Sequence, residues 1–295
     1  MKVAFVQQAV SPHRDENWAR YEAGIAEAAA LGARLVLLPE LFLDPYPCQG
    51  EDPERFDLAE PIPGPATQRL GEIARKHGII IATSLFERRA RGLYHNTGVV
   101  LERDGQLAGR YRKMHIPDDP GYEEKFYFAP GDLGFAPIPT SLGRIGLLVC
   151  WDQWFPEAAR LMALQGADIL LYPTAIGWDP KDSEAVKRRQ KEAWQIIQRG
   201  HAIANHLPLI ACNRTGFEPP GIDFWGGSFI AGQEGEVLCE APADAPFVGV
   251  AEIDFKRTEK LRRLWPFLRD RRIDAYGGLL RRFIDNEPCG TCRIG

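Results

Sequence analysis

Apolar positions in this chain fall in short, nearly unbroken runs rather than long ones. Residues 3–8, 34–38, 79–85, 145–149, 168–172 and 209–212 are such runs, each bounded by Pro, Gly or a polar residue. They predict strands buried on both faces, the pattern of sheets covered by helices. Between them, residues 17–31, 65–77, 155–165 and 183–205 read as helices. Gly32 and Gly78 supply stops, Pro65 and Pro156 fit first turns where a missing N–H costs nothing, and Ser183 is a candidate cap. Residues 94–102 and 106–112 flank Asp104-Gly105 and predict a hairpin. Residues 229–231, 237–239 and 248–253 read as a meander. Helix and strand alternate at both ends with hairpins between, which predicts an α/β domain with mixed sheets. Pattern alone leaves the number of layers open. Residues 41–65, rich in Pro and aromatics, form a long loop of the kind that usually carries function.

Three of the predicted strands end in an ionisable residue. Glu40 follows residues 34–38, Lys113 follows 106–112, and Cys150 follows 145–149, where the chain turns towards a helix. Carboxyl ends of strands are where open α/β sheets gather ligands. If the three ends meet, a specific chemistry is available. A thiolate attacks a carbonyl carbon, a carboxylate takes the thiol proton and returns it to a leaving amine, and an ammonium stabilises the oxyanion. The backbone N–H of Trp151 would be a second oxyanion donor. Taken singly, each residue has a plainer reading: Cys150 a buried structural thiol, Glu40 a loop carboxylate, Lys113 a solvated strand end. His95 reads as a hydrogen-bonded support. No G-x-S-x-G elbow, clustered metal ligands or glycine-rich phosphate loop is present.

Composition narrows the partners. The chain has 295 residues, 45% hydrophobic, and a formal net charge of −4. That gives no broad electrostatic reason to expect nucleic acid or an anionic membrane. No apolar run is long enough to span a bilayer, and Met1 leads straight into a strand without a secretory pattern. Six cysteines in a chain this long are not a disulfide framework, so a reduced, cytoplasmic protein is expected. Cys289-Gly290-Thr291-Cys292 is a lone C-x-x-C and reads as part of a frayed tail.

The runs Leu37-Leu38-Pro39-Glu40, Tyr111-Arg112-Lys113-Met114-His115 and Cys150-Trp151-Asp152-Gln153-Trp154-Phe155-Pro156-Glu157 occur in order across the chain. With Pro130-Gly131-Asp132 and Pro173-Thr174, they resemble the nitrilase superfamily of carbon–nitrogen hydrolases over nearly the whole length. The resemblance implies a four-layer αββα sandwich over residues 1–295. It implies a Glu-Lys-Cys triad: Glu40 base, Lys113 oxyanion stabiliser, Cys150 nucleophile. It also implies a second glutamate, matched by Glu124, with Glu123 as fallback. No metal or organic cofactor is implied. Within the superfamily, residues 93–97, 121–128, 150–157, 172–177 and 267–272 are most similar to the branch acting on carbamoylated amines such as N-carbamoylputrescine. ω-Amidases and β-ureidopropionases are the alternative branches. The carbamoyl-D-amino-acid branch has two arginines after the cysteine; here Gln153 and Trp154 stand there, so a fork for a substrate carboxylate is absent.

An amine substrate of this kind calls for an anion at the far end of the pocket and aromatic walls. Asp179 is the candidate anion, unless it serves only its own turn. Trp151, Trp178 and Tyr46 are the candidate walls. The basic, aromatic tail is ambiguous alone between a solvated segment and an interface. The resemblance implies a homo-oligomer built on a dimer, with residues 255–295 as an extension in its contacts.

Overall fold

The computed structural model describes residues 1–284; the Cys289/Cys292 pair lies outside the described residues. Two six-stranded mixed sheets pack face to face. The first runs Phe247–Glu252, Lys2–Gln7, Leu35–Leu37, Ile80–Ala90, Leu93–Leu101, Leu107–Arg112 from edge to edge. Its three sequential strands from Lys2 to Ala90 are parallel, because the helices Arg14–Ala30 and Pro65–His77 return the chain between them. Alternation along Lys2–Gln7 builds two cores at once. Val3 and Phe5 enter the core between the sheets, while Ala4 and Val6 pack under Trp18, Tyr21 and Ile25 of the first helix.

The second sheet runs Val237–Glu240, Phe229–Ala231, Leu209–Asn213, Ile169–Thr174, Gly143–Leu147, Ile138–Thr140. Helices Pro156–Leu164 and Glu184–Asn205 cover it through Met162, Trp194 and Ala202. The result is the four-layer αββα sandwich. Gly98 sets how closely the sheets approach: a Cβ there would lie 2.7 Å from Leu147 Cδ2.

Three departures from the sequence pattern matter. The meander forms only in its first two strands: Phe229–Ala231 and Val237–Glu240 pair antiparallel in the second sheet, while Phe247–Glu252 pairs antiparallel with Lys2–Gln7 in the first. The first helix begins at Arg14, since Asp15 and Glu16 favour a helix start although they carry no apolar signal. A third, three-stranded sheet, Thr215–Glu218, Ile222–Trp225 and Gly177–Trp178, was not legible, because strands of two to four residues are too short to show a period.

Candidate active site

Glu40, Lys113, Glu124 and Cys150 come together at one end of the inter-sheet core. The first three are fully buried, and Cys150 is 5% exposed. Lys113 Nζ donates to Glu40 Oε1 at 2.9 Å and to both oxygens of Glu124, at 2.8 and 2.7 Å. Glu40 is held on every side: Asn96 Nδ2 donates to Oε1 at 2.6 Å, and the Ala175 N–H donates to Oε2 at 2.8 Å. The Cys150 thiol lies 3.9 Å from the Ala175 carbonyl, so thiol and carboxylate flank the same residue. Glu123 is elsewhere, accepting from the Gly121 N–H.

Cys150 opens a short 3-10 turn, Cys150–Trp154, just after the strand Gly143–Leu147 of the second sheet. Its φ of 41° is in the left-handed region, a conformation costing about 1–3 kcal/mol that persists only where surroundings enforce it. Asp152 enforces it. Its carboxylate accepts from the Val149 N–H and the Tyr111 hydroxyl, and also from the His115 N–H, with the His115 ring nitrogen 2.7 Å away. The Trp151 N–H is the second backbone donor of this turn, among the first N–H groups of a helix, which have no acceptor within it. Burial pushes the Cys150 thiol well above its ordinary range, with Glu40 adding to it and Lys113 opposing. Burial pushes Glu124 up to about 7, Lys113 opposing and Glu40 reinforcing. Burial disfavours the Lys113 ammonium, but Glu124 and Glu40 outweigh it and hold its pKa well above the usual value. The resting site is therefore a protonated thiol beside an ammonium and two carboxyl groups.

Residues 2–263 match the family model for carbon-nitrogen hydrolases. The chain belongs to this family. It is 44% identical to N-carbamoylputrescine amidase of Arabidopsis thaliana, with 94% of each chain covered. It is 40% identical to citrullinase of Francisella tularensis, over 96% of this chain and 99% of that one. A crystal structure of a carbon-nitrogen hydrolase from Helicobacter pylori superposes with a TM-score of 0.93 at 51% identity, covering 96% and 100%. The protein is thus a hydrolase of non-peptide carbon–nitrogen bonds.

In this hydrolase Cys150 opens into a cleft of about 390 Å³ lined by Trp151, Trp154, Tyr122 and Trp225. Asp119, Asp179 and Asp182 stand at its rim, and no lysine or arginine is among the described residues lining it. Of the three aromatics expected as walls, Trp151 is among the lining residues. Trp178 is not: its indole N–H donates to the Lys187 carbonyl and it lines a neighbouring groove instead. Tyr46 is not a wall either; it is fully buried, and its hydroxyl donates to Glu124 Oε1 at 2.6 Å. Asp179 reaches the cleft but is exposed, and its Oδ1 also accepts from the Lys181 N–H, so it serves its turn as well. Gln153 is buried away from the cleft, its Oε1 accepting from Trp194 Nε1 and Thr174 Oγ1. His95 is a support, with Nδ1 3.0 Å from the Ala129 carbonyl. Sequence reasoning missed Asn96, Asp152 and Arg214. Each is an ordinary polar residue beside an apolar run, and most of its partners lie far away in sequence.

Proposed function

We propose that this hydrolase cleaves the ureido group of N-carbamoylputrescine, releasing putrescine, CO2 and ammonia. One observation carries the reading: the Cys150 cleft has carboxylates at its rim and, among its described lining residues, no cation. A substrate with an ammonium far from the scissile carbon suits such a cleft. A substrate carboxylate, such as that of N-carbamoyl-β-alanine or the one citrulline carries beside its ammonium, would meet like charge without a cationic partner in the cleft.

In the proposed mechanism the Cys150 thiol attacks the ureido carbon while Glu40 accepts its proton. Lys113 Nζ and the Trp151 N–H receive the negative oxygen. Collapse expels the amine, which takes the proton from Glu40, and leaves an S-carbamoyl enzyme. Water attacks next, with Glu40 again the base and Glu124 orienting Lys113. Carbamic acid leaves and decomposes to CO2 and ammonia, and Cys150 regains its proton.

A screen of ammonia release tests this. N-carbamoylputrescine should exceed citrulline, N-carbamoyl-β-alanine and a neutral N-carbamoyl alkylamine in kcat/KM by at least tenfold. Asp179→Asn should raise KM for N-carbamoylputrescine by up to about fivefold, the limit for an exposed charge pair, and leave that for the neutral N-carbamoyl alkylamine unchanged. Preference for citrulline or an ω-amide would overturn the substrate assignment.

The reading also includes assembly and place. Leu161, Leu164, Ile196 and Ile203 are exposed on the outer helices, and Leu264, Trp265, Leu280 and Phe283 on the tail. Exposed apolar side chains on the outer helices and on the tail suit an interface, and a second copy is the proposed partner, with the described part of the tail, residues 255–284, in the contact. Light scattering at micromolar concentration should give a dimer or a multiple of it; a monomer would overturn the assembly. No helix among the described residues is long and apolar enough to cross a membrane. Free Cys48, Cys150, Cys212 and Cys239 suit a reducing cytoplasm.

A further inference from the structure

We infer that the buried Arg214–Glu218 pair is a positioning clamp that sets Glu40 and Glu124 together, by holding both ends of the loop between Glu40 and Tyr46. Arg214 is fully buried at the end of the strand Leu209–Asn213, and Glu218 is 3% exposed at the end of Thr215–Glu218. The two are joined at 2.8 Å.

Each partner reaches one end of the loop. Arg214 Nη2 donates to the carbonyls of Glu40 and Leu41, both at 2.8 Å, and Nη1 donates to the Asp44 carbonyl at 3.2 Å. Glu218 Oε2 accepts from the Tyr46 N–H at 2.7 Å. Tyr46 then carries the constraint onward, since its hydroxyl bonds Glu124. The guanidinium lies over the rings of Tyr46 and Phe224, 5.9 and 5.3 Å from their centroids, which fixes the Tyr46 ring as well as its backbone. The loop needs such a hold. Leu41, next to Glu40, has φ 48°, a strained conformation for a branched apolar residue. A guanidinium suits the task better than an ammonium, because its planar fork reaches several fixed carbonyls at once. Neither Arg214 nor Glu218 lines the cleft, so the expected effect is on the chemical steps and not on substrate capture.

The inference rests on the proposed use of Glu40 and Glu124. Its test uses whichever carbon–nitrogen substrate the wild-type enzyme turns over best, so failure of the substrate assignment does not count against it. Arg214→Lys, Glu218→Gln and Tyr46→Phe are compared with wild type at 25 °C, well below each melting temperature. Arg214→Lys keeps the charge and loses the fork; Tyr46→Phe removes only the hydroxyl. The clamp predicts that kcat falls at least tenfold in Arg214→Lys and about fivefold or more in the other two, with KM within threefold throughout. If Arg214→Lys does not fold, Glu218→Gln and Tyr46→Phe decide, since both leave the guanidinium in place. Folded variants with kcat within twofold of wild type would overturn the clamp and leave the pair a purely structural one. A rise in KM at constant kcat would overturn it too, by making the loop a substrate wall.

Discussion

Cys150→Ala keeps its fold and loses kcat by on the order of 10⁴-fold or more. The side chain is small, 5% exposed, and bonded only weakly through its sulfur, at 3.9 Å from the Ala175 carbonyl. Removing Sγ therefore leaves a void of about one atom, and the turn remains held by Asp152 through Val149, Tyr111 and His115. In wild type, a slowly deacylating carbamoyl substrate should leave its adduct on Cys150, read by mass spectrometry of the intact chain and its peptides. Cys48 and Cys212 are fully buried, with thiols raised in pKa by that burial, and neither lines the cleft into which Cys150 opens. The raised Cys150 pKa has its own consequence. Without substrate, alkylation by iodoacetamide should be slow at neutral pH and accelerate in alkali, because the thiol loses its proton at neutral pH only in concert with Glu40. An adduct on Cys48, Cys212 or Cys239 would move the nucleophile elsewhere.

Lys113→Met should lose kcat by on the order of 10²–10³-fold, the scale of one lost oxyanion donor. It should also destabilise the fold by about 3–5 kcal/mol, the cost of breaking a buried ion pair from one side. Glu40 and Glu124 would then face each other, fully buried, with their shared ammonium gone. The sign of the pH dependence follows from Glu124. Its folded pKa is about 7 against an ordinary 4.5, and Lys113 is a lowering influence, so removing Lys113 raises it further. A carboxyl with a raised folded pKa stabilises the fold fully below its unfolded value and loses that contribution as pH rises through the folded value. The variant's melting temperature should therefore fall more steeply than that of wild type between about pH 5 and pH 8. Acid should restore part of the stability and none of the activity. Equal melting temperatures across that range would mean that the ammonium does not hold the two carboxylates as the geometry has it.

What was legible in the chain itself is local. Apolar runs placed the central strands, Pro156 and Gly78 marked helix ends, Asp104-Gly105 marked the hairpin, and Glu40, Lys113 and Cys150 stood at strand ends. Those features depend on neighbours a few residues apart, where steric and hydrogen-bonding preferences act without a tertiary frame. The family resemblance pointed to Glu124, with Glu123 as fallback, and Glu124 is the one that meets Lys113. Only the assembled structure decided what each polar side chain faces. Tyr46, read as a wall, turns inward because Glu124 offers its hydroxyl a buried acceptor 78 residues away. Ala175 and Arg214 reach Glu40 across 135 and 174 residues. Phe247–Glu252 crossed to the first sheet because its edge strand, Lys2–Gln7, lay open to pairing. Alternation along a strand states that a residue is buried, and on which face. It carries no information about which distant donor or acceptor waits there, and in this enzyme those distant partners build the site.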